Sequence, residues 1–506
     1  MERFMRADDW KRTLVERGRY FNKEYPITGY ERADGVGGNP LHPVCAFKDR
    51  LQKIHQKFRE TYQGVRISRR HARMPYWAPE EQNLPDNYSF VEAPERLTTT
   101  SITIVLVPRD RVQAAELGFY YDGPILPTLR ERMEGIRFRG LVGNVGYYMT
   151  EDLIGERFPW SHNVRYPEFP LPSSLSYLGF HLFRDDAGEA YGSFQGAHPA
   201  AVGIRRNGRV DIIPRLKIER YRVTLWGKEF LVNSINDPDA ADEVMVFTPG
   251  LWTPEVRART ENWETYAPEI PVPDRVNVFV ANEGNGKVPI ERTVKVWEGR
   301  SPLPSFGAVL SFERDYFGKL FAHGHLGQRV KIEPLGGTDF DEYAQMLGGL
   351  VPVIVGGQHA YCVETVAQIQ ERLRDYGNAT SPIAQCGRET QNLALRVREP
   401  AGVLLQTEDH LGWVLFDGRH ELSIGASVVD VAKMLKLLED DGTLCGKVKQ
   451  AVFVDGGSAM KAYAVESDGT TITLDLLNRV AAGSRNGPGA DPDGLNLYTL
   501  LALGLA

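Results

Sequence analysis

The chain has 506 residues, 42% hydrophobic and 25% charged, with a formal net charge of -7. That balance belongs to a globular protein with enough apolar material for a large core, so neither disulfides nor metals are needed to hold the fold. The negative charge argues against a chain-wide nucleic-acid or membrane partner, because both are anionic. Cys45, Cys362, Cys386 and Cys445 are scattered without a C-x-x-C pair, which reads as reduced thiols rather than a zinc site. The opening "MERFMRADDWKRTLVERGRY" lacks the apolar stretch of a secretory signal. No run reaches the roughly 18 apolar residues of a membrane span, so a cytoplasmic location is expected.

Residues 1–97 are polar and proline-punctuated and are expected to form a partly helical N-terminal extension. Phe47, Leu51, Ile54, Phe58 and Tyr62 recur at three- and four-residue spacing, an apolar stripe that ends at Gly64. Such a stripe suits assembly, so a homo-oligomer formed through this extension is one expectation. The basic stretch "RISRRHARMPYW" follows. In an acidic chain it reads as a solvated surface, with a phosphate or nucleic-acid contact as the alternative.

From 98 to 506 the sequence turns strand-rich and is treated as one domain. "TTTSITIVLVP" is alternating and β-branched. "LVGNVGYYM", "RYRVTLWGKEFLVNSIN", "EVMVFTPG", "VNVFVAN", "GAVLSF", "VPVIVGG", "AGVLLQT", "LGWVLFDG" and "QAVFVDGG" continue in that style, with turn-forming glycines and prolines between them. Helical patterns are expected near 125–135, 339–348, 364–375 and 427–440. The predicted fold class is α+β, a mixed α/β arrangement. It comprises a strand-rich domain of mixed sheets with a C-terminal βαβ unit, plus the partly helical N-terminal extension.

Residues 411–456 carry the chemistry. "LGWVLFDG" is an apolar run delivering Asp417, and "QAVFVDGG" is a second one delivering Asp455. Between them "SVVDVAKMLKLLEDDG" reads as an amphipathic helix. Ser427 is its N-cap, Asp430 stands in a capping-box position, Val428, Val431, Leu435 and Leu438 share one face, and Gly442 ends it. Strand, helix, strand predicts parallel strands whose carboxyl ends meet at one rim, where open α/β sheets bind ligands. Asp417 and Asp455 would then share that rim. The backbone N–H groups of Gly456, Gly457 and Ser458 suit an anion, and Arg419 offers a guanidinium fork to it. The competing reading is turn chemistry alone, since Asp-Gly after a strand is a common turn.

The order of these motifs resembles the phosphodiester glycosidase family. The elements are Arg398 with Gly402, then Asp417-Gly418-Arg419, Ser423 with Gly425, Asp455-Gly456-Gly457-Ser458, and "LLNR" containing Asn478. Upstream, "GNVGYYM" is similar to the family's N-G-G-Y-F turn, with Asn144 as its asparagine and Tyr147 and Tyr148 following. The resemblance covers roughly 98–506. It implies hydrolysis of a sugar C1–O–phosphate bond in a glycosyl phosphate diester or related sugar-phosphate metabolite. In that reading Asp417 or Asp455 activates water or acts as nucleophile, and Arg398, Arg419 and the Gly456–Ser458 backbone stabilise the departing phosphate. Asn144, Tyr147, Tyr148, Ser423 and Asn478 hold the substrate. No cofactor is required, although a divalent cation, magnesium or calcium, is compatible with two aspartates and a phosphate. The expected partner is a small sugar-phosphate or glycoconjugate.

Two departures favour an alternative, a non-catalytic sugar-phosphate or nucleotide binding protein. "DGGSAM" is one glycine and one hydroxyl shorter than the family motif, and "REPAG" places Glu399 and Pro400 where the family has small residues. Among the histidines, His323 and His325 form an H-x-H pair without a third ligand and read as surface residues. His420 reads as exposed, and His198 is a minor candidate for proximity to the site.

Overall fold

The computed structural model describes residues 31–32, 56, 59–60, 62–75, 97–119, 140–146, 148–149, 176–177, 179–185, 187–196, 198–248, 270, 272, 274–283, 290–299, 301, 307–362, 368, 372, 401–416, 425–454, 462–465, 472–475 and 499–505. Among these lie 27 strands and the α-helices Arg314–Leu320 and Val428–Asp440, and Gln56, Arg59, Glu60, Gln368 and Arg372 are also helical. The fold is therefore mostly β, which corrects the α+β expectation. The reading of the N-terminal extension is corrected in part: Gln56, Arg59 and Glu60 are helical, but the basic stretch after them is a strand. "RISRRHARMP" is a ten-residue strand, Arg66–Pro75, paired antiparallel along its whole length with Leu97–Pro108. Its arginines hide the strand signal, and the β-branched neighbour supplies the ladder that overrides local preference. Of the apolar stripe from Phe47, only Tyr62 is described, and it packs into the chain's own core.

The 339–348 helix is a second correction. A 3-10 turn, Phe340–Glu342, leads directly into the 13-residue strand Tyr343–Val355, which has partners on both sides. The 125–135 segment lies outside the described residues, as does 364–375 apart from Gln368 and Arg372.

A 12-stranded sheet forms the centre of the molecule. Across it run Arg66–Pro75, Leu97–Pro108, His410–Phe416, Ala401–Gln406, Gln450–Val454, Tyr343–Val355, Ala200–Arg205 and Val210–Ile213. One face is covered by the helix Val428–Asp440, whose Val431, Leu435 and Leu438 meet Val403, Val414, Phe416 and Phe453. The other face carries a five-stranded sheet that includes Val112–Phe119, Gly140–Asn144 and Thr499–Leu505. Leu141, Val145, Leu501 and Leu503 there meet Leu404, Trp413, Leu415, Val452 and Val454.

The helix starts where its sequence says it should. The Ser427 side chain accepts from the Asp430 backbone N–H at 3.2 Å, and the Asp430 carboxylate accepts from the Ser427 backbone N–H at 3.0 Å. Gly442 takes φ +76°, and its N–H donates to the Glu439 carbonyl. Ser427→Ala removes one half of the reciprocal pair while Asp430 stays buried. A loss of about 1 kcal/mol is expected, read from urea unfolding at unchanged m.

Between Val210–Ile213 and Tyr343–Val355 the chain inserts a β lobe. A three-stranded sheet (Lys228–Val232, Arg220–Leu225, Lys331–Leu335) packs on a five-stranded one built from Ser234–Ile235, Val244–Phe247, Ala308–Glu313, Arg275–Glu283 and Ile290–Glu298. Their shared core holds Tyr221, Val223, Val246, Val278, Leu310 and Phe312.

Candidate functional site

The register of the central sheet fixes which strand ends lie together. Gly402 is paired with Leu415 on one side and with Val454 on the other, and Leu415 is paired with Thr103. Because Ala401–Gln406 runs antiparallel to both neighbours, His410–Phe416 and Gln450–Val454 run parallel to each other. The strand–helix–strand unit thus crosses over one intervening strand rather than joining adjacent ones. With strands about 4.8 Å apart, the two parallel backbones lie roughly 10 Å from each other.

Both parallel strands finish at the level where Ala401–Gln406 begins, since Ala401 faces Phe416 and Gly402 faces Val454. Phe416 belongs to the helix-side core, whereas Val454 belongs to the core under the second sheet. The last described residues of the two strands therefore face opposite sides of the sheet. Asp417, Arg419, Ser423, Arg398, Asp455, Gly456, Gly457, Ser458 and Asn478 lie outside the described residues, as do Tyr147 and His420.

Asn144 is described. It is buried at the end of Gly140–Asn144 and pairs with Leu500. The turn after it is fastened by Thr499, whose hydroxyl accepts from the Gly146 N–H at 2.7 Å and donates to the Gly146 carbonyl at 2.9 Å. Its neighbour Gly143 lies against the Trp413 indole so closely that a Cβ there would stand 2.9 Å from the ring. The strand bearing Asn144 thus crosses the central sheet three residues upstream of Phe416. Tyr148 sits in the short strand Tyr148–Met149, paired with Ser176–Tyr177.

His198 enters at the same level. Ala200 pairs with Leu350, and Val351 pairs with Phe453, so Ala200–Arg205 begins abreast of the end of Gln450–Val454. His323 and His325 are exposed, and among the described residues no three His, Cys, Asp or Glu side chains form a metal-binding group. Cys445 is a free thiol. No helix among the described residues is long and apolar enough to cross a membrane.

Two polar clusters have no counterpart in the sequence reading. In the first, Asp211 accepts from Arg109 and Arg209 at 3.2 Å on one oxygen and from Arg205 on the other, and Arg205 also meets Glu342. Burial and the nearby Arg209 charge push the Arg109 guanidinium down from its ordinary value. The network ties the Arg205–Arg209 turn to the chain leaving Leu97–Pro108, which is a structural role. In the second, the buried His181 and Glu291 approach to 3.9 Å between the central sheet and the inserted lobe. Burial lowers His181 to about 3, and burial, opposed by a hydrogen bond from Asn282, raises Glu291 to about 8. Glu291 left one legible signal: in "IERTV" it occupies the inward phase of an alternating strand, where a carboxylate is out of place.

No family model matches the sequence, and no curated protein matches it. Among solved structures, a hypothetical protein from Synechocystis is similar at a TM-score of 0.39 and 14% identity, covering 87% of this chain and 62% of its own. The chain therefore spans less than two thirds of that protein. The catalytic domain of zebrafish N-acetylglucosamine-1-phosphodiester alpha-N-acetylglucosaminidase, auto-inhibited by its pro-peptide, is similar at a TM-score of 0.36 and 12% identity, covering 86% of this chain and 88% of its own. The likeness is distant. One such neighbour is a phosphodiester glycosidase.

Proposed function

We propose that the protein is a hydrolase of the phosphodiester glycosidase type, cleaving the C1–O bond of a glycosyl phosphate diester or a related sugar-phosphate metabolite. The observation that carries the reading is the common level of three strand termini. His410–Phe416 and Gln450–Val454 end there, each one peptide bond before an aspartate, and Ala401–Gln406 begins there, three residues after Arg398. In the proposed reaction water attacks C1, the C1–O bond breaks, and its electron pair leaves on the phosphate oxygen. The phosphate departs as a monoester, already a good leaving group. Asp417 or Asp455 takes the proton from water, or one of them attacks C1 first and water releases the sugar in a second step.

Arg398, Arg419 and the backbone of Gly456, Gly457 and Ser458 are proposed to stabilise the departing charge. Asn144, Tyr147, Tyr148, Ser423 and Asn478 are proposed to hold the sugar. A magnesium or calcium ion on either aspartate is compatible with this chemistry, and chelator sensitivity tests for it. Since Phe416 and Val454 face opposite sides, the two acids can share a pocket only if one chain leaves its strand direction at once. The glycines after Asp455 permit that.

The test is incubation of the purified chain with a panel of glycosyl phosphate diesters, with mass spectrometry of the products. Release of free sugar and phosphate monoester supports the reading. The shortened "DGGSAM" favours a second reading, a binding protein that retains a sugar phosphate or nucleotide without converting it. Retention of a ligand with unchanged mass is its signature.

A further inference from the structure

The strand Arg66–Pro75 carries a run of arginines that the hydrolase reading does not use. Strand alternation sorts them between the two faces of the central sheet. Ile67 packs into the core under the second sheet, so Arg66, Ser68 and Arg70 share the opposite, helix-side face. Along the strand, Arg66 and Arg70 stand four residue rises apart, about 13 Å. Their guanidinium groups nevertheless end on one short loop. Arg66 donates its Nη1 to Cys445 Sγ at 3.1 Å, and Arg70 donates its Nη2 to Thr443 Oγ1 at 3.3 Å. Thr443 and Cys445 are two residues apart, so their Cα atoms lie within about 7 Å of each other.

Neither acceptor answers a full positive charge. A thiol sulfur is a weak acceptor, and a threonine hydroxyl is neutral. Among the described residues no carboxylate meets Arg66 or Arg70. Arg70 is half-buried, and its Nε is buried without an acceptor. The acids of the neighbouring helix end are engaged elsewhere: Glu439 with His359, Asp440 with Lys436, and Asp441 with the Thr443 N–H. The closing carbonyls are engaged as well, Leu437 by the Asp441 N–H, Glu439 by the Gly442 N–H and Leu438 by the Leu444 N–H. The two arginines therefore do not cap the helix. Lys447, exposed on the same loop, adds a third cation.

A guanidinium presents paired donors that match two oxygens of a phosphate, and partial burial limits the screening of such a pair. We propose that Arg66 and Arg70 form a phosphate-binding site against the Thr443–Cys445 loop, taking inorganic phosphate or a small phosphate monoester between the two guanidinium groups. The helix end repels an anion with roughly half a charge, and two full guanidinium charges outweigh it. The site lies on the helix-side face of the sheet and stands independently of the hydrolase reading.

Cys445 reports on the site from within. It is half-buried, and the Arg66 donation to its sulfur is the contact that a bound anion takes over. The whole chain is treated with iodoacetamide, with and without inorganic phosphate at matched ionic strength, and alkylation of Cys445 is followed by mass spectrometry of its peptide. Saturating phosphate is expected to slow that alkylation by about tenfold, the weight of one charge-assisted hydrogen bond to the sulfur. Methyl phosphate is run in parallel as the monoester. Protection by either anion supports the site and tells which one it takes.

In Arg70→Gln, compared with and without the anion in the same way, the protection is expected to disappear, because Arg70 holds the anion without touching the sulfur. Absence of protection by both anions in the wild type would overturn the proposal. So would equal protection in Arg70→Gln, which would place the phosphate elsewhere on the chain. Should that variant not fold, a crystal structure of the wild type grown with phosphate decides. Phosphate oxygens about 2.8 Å from the Nη atoms of both arginines support the site. Their absence from that position contradicts it.

Discussion

Asp455→Asn is expected to lower kcat by roughly 10²–10⁴-fold, the range associated with a positioned general base, while leaving the unfolding midpoint within experimental error. The substitution is isosteric and removes the negative charge that would accept the proton of water. The preceding strand is secured without it: Val452, Phe453 and Val454 are buried, Val452 and Phe453 are paired on both sides, and Val454 pairs with Gly402. An equal loss of stability and activity would mean that Asp455 serves its own turn, the reading that Asp-Gly sequences carry by default. Unchanged turnover on a cleavable glycosyl phosphate diester would remove Asp455 from the reaction. Asp417→Asn, measured in parallel, shows whether the two acids act as a unit, because groups that do are far from additive.

Trp413→Ala is expected to be the most damaging truncation in the core, at about 3–5 kcal/mol. Trp413 is fully buried, and its indole fills the space between the central sheet and Gly143 of the overlying strand. Removing it leaves a cavity beneath the strand that ends in Asn144, three residues before the end of His410–Phe416. Trp413→Phe keeps most of the volume. The indole N–H has no acceptor among the described residues, so no hydrogen bond is lost, and a cost below about 1.5 kcal/mol is expected. Leu437→Ala, on the exposed side of the helix, is the control and is expected to stay within about 0.5 kcal/mol. Urea midpoints at constant m separate the three. Equal costs for Trp413→Ala and Leu437→Ala would contradict the packing of the second sheet on the first.

The strands of the central sheet were legible because their apolar runs are bounded by glycine and proline, and the helix at 428–440 because its cap, its face and its terminal glycine agree. What could not be read is pairing across distance. The crossover over Ala401–Gln406 follows from a hairpin: Ala401–Gln406 turns back into His410–Phe416, and the strand arriving after the helix then finds the free side of Ala401–Gln406. Local sequence does not reveal which side of a hairpin is left open. Residues 339–348 read as a helix because their first turn is polar and acidic, whereas partners on both flanks make Tyr343 onward one strand with "VPVIVGG", which the sequence does show as a strand. His181 and Glu291 lie in ordinary apolar and alternating runs, and only the docking of the lobe makes a pair of them. The parallel strands before Asp417 and Asp455 were expected. That their last residues face opposite sides depends on a one-residue register, and a one-residue shift reverses every side chain.

The central claim is that two aspartates and two arginines converge on one anion at the strand termini around Ala401. A crystal structure of the protein soaked with inorganic phosphate or a glycosyl phosphate tests it most directly. The account predicts phosphate oxygens held by Arg398 or Arg419 and by the Gly456–Ser458 backbone, with the Asp417 and Asp455 carboxylates lining the same cavity. An anion bound elsewhere, with those two carboxylates opening onto opposite faces of the sheet, would contradict it.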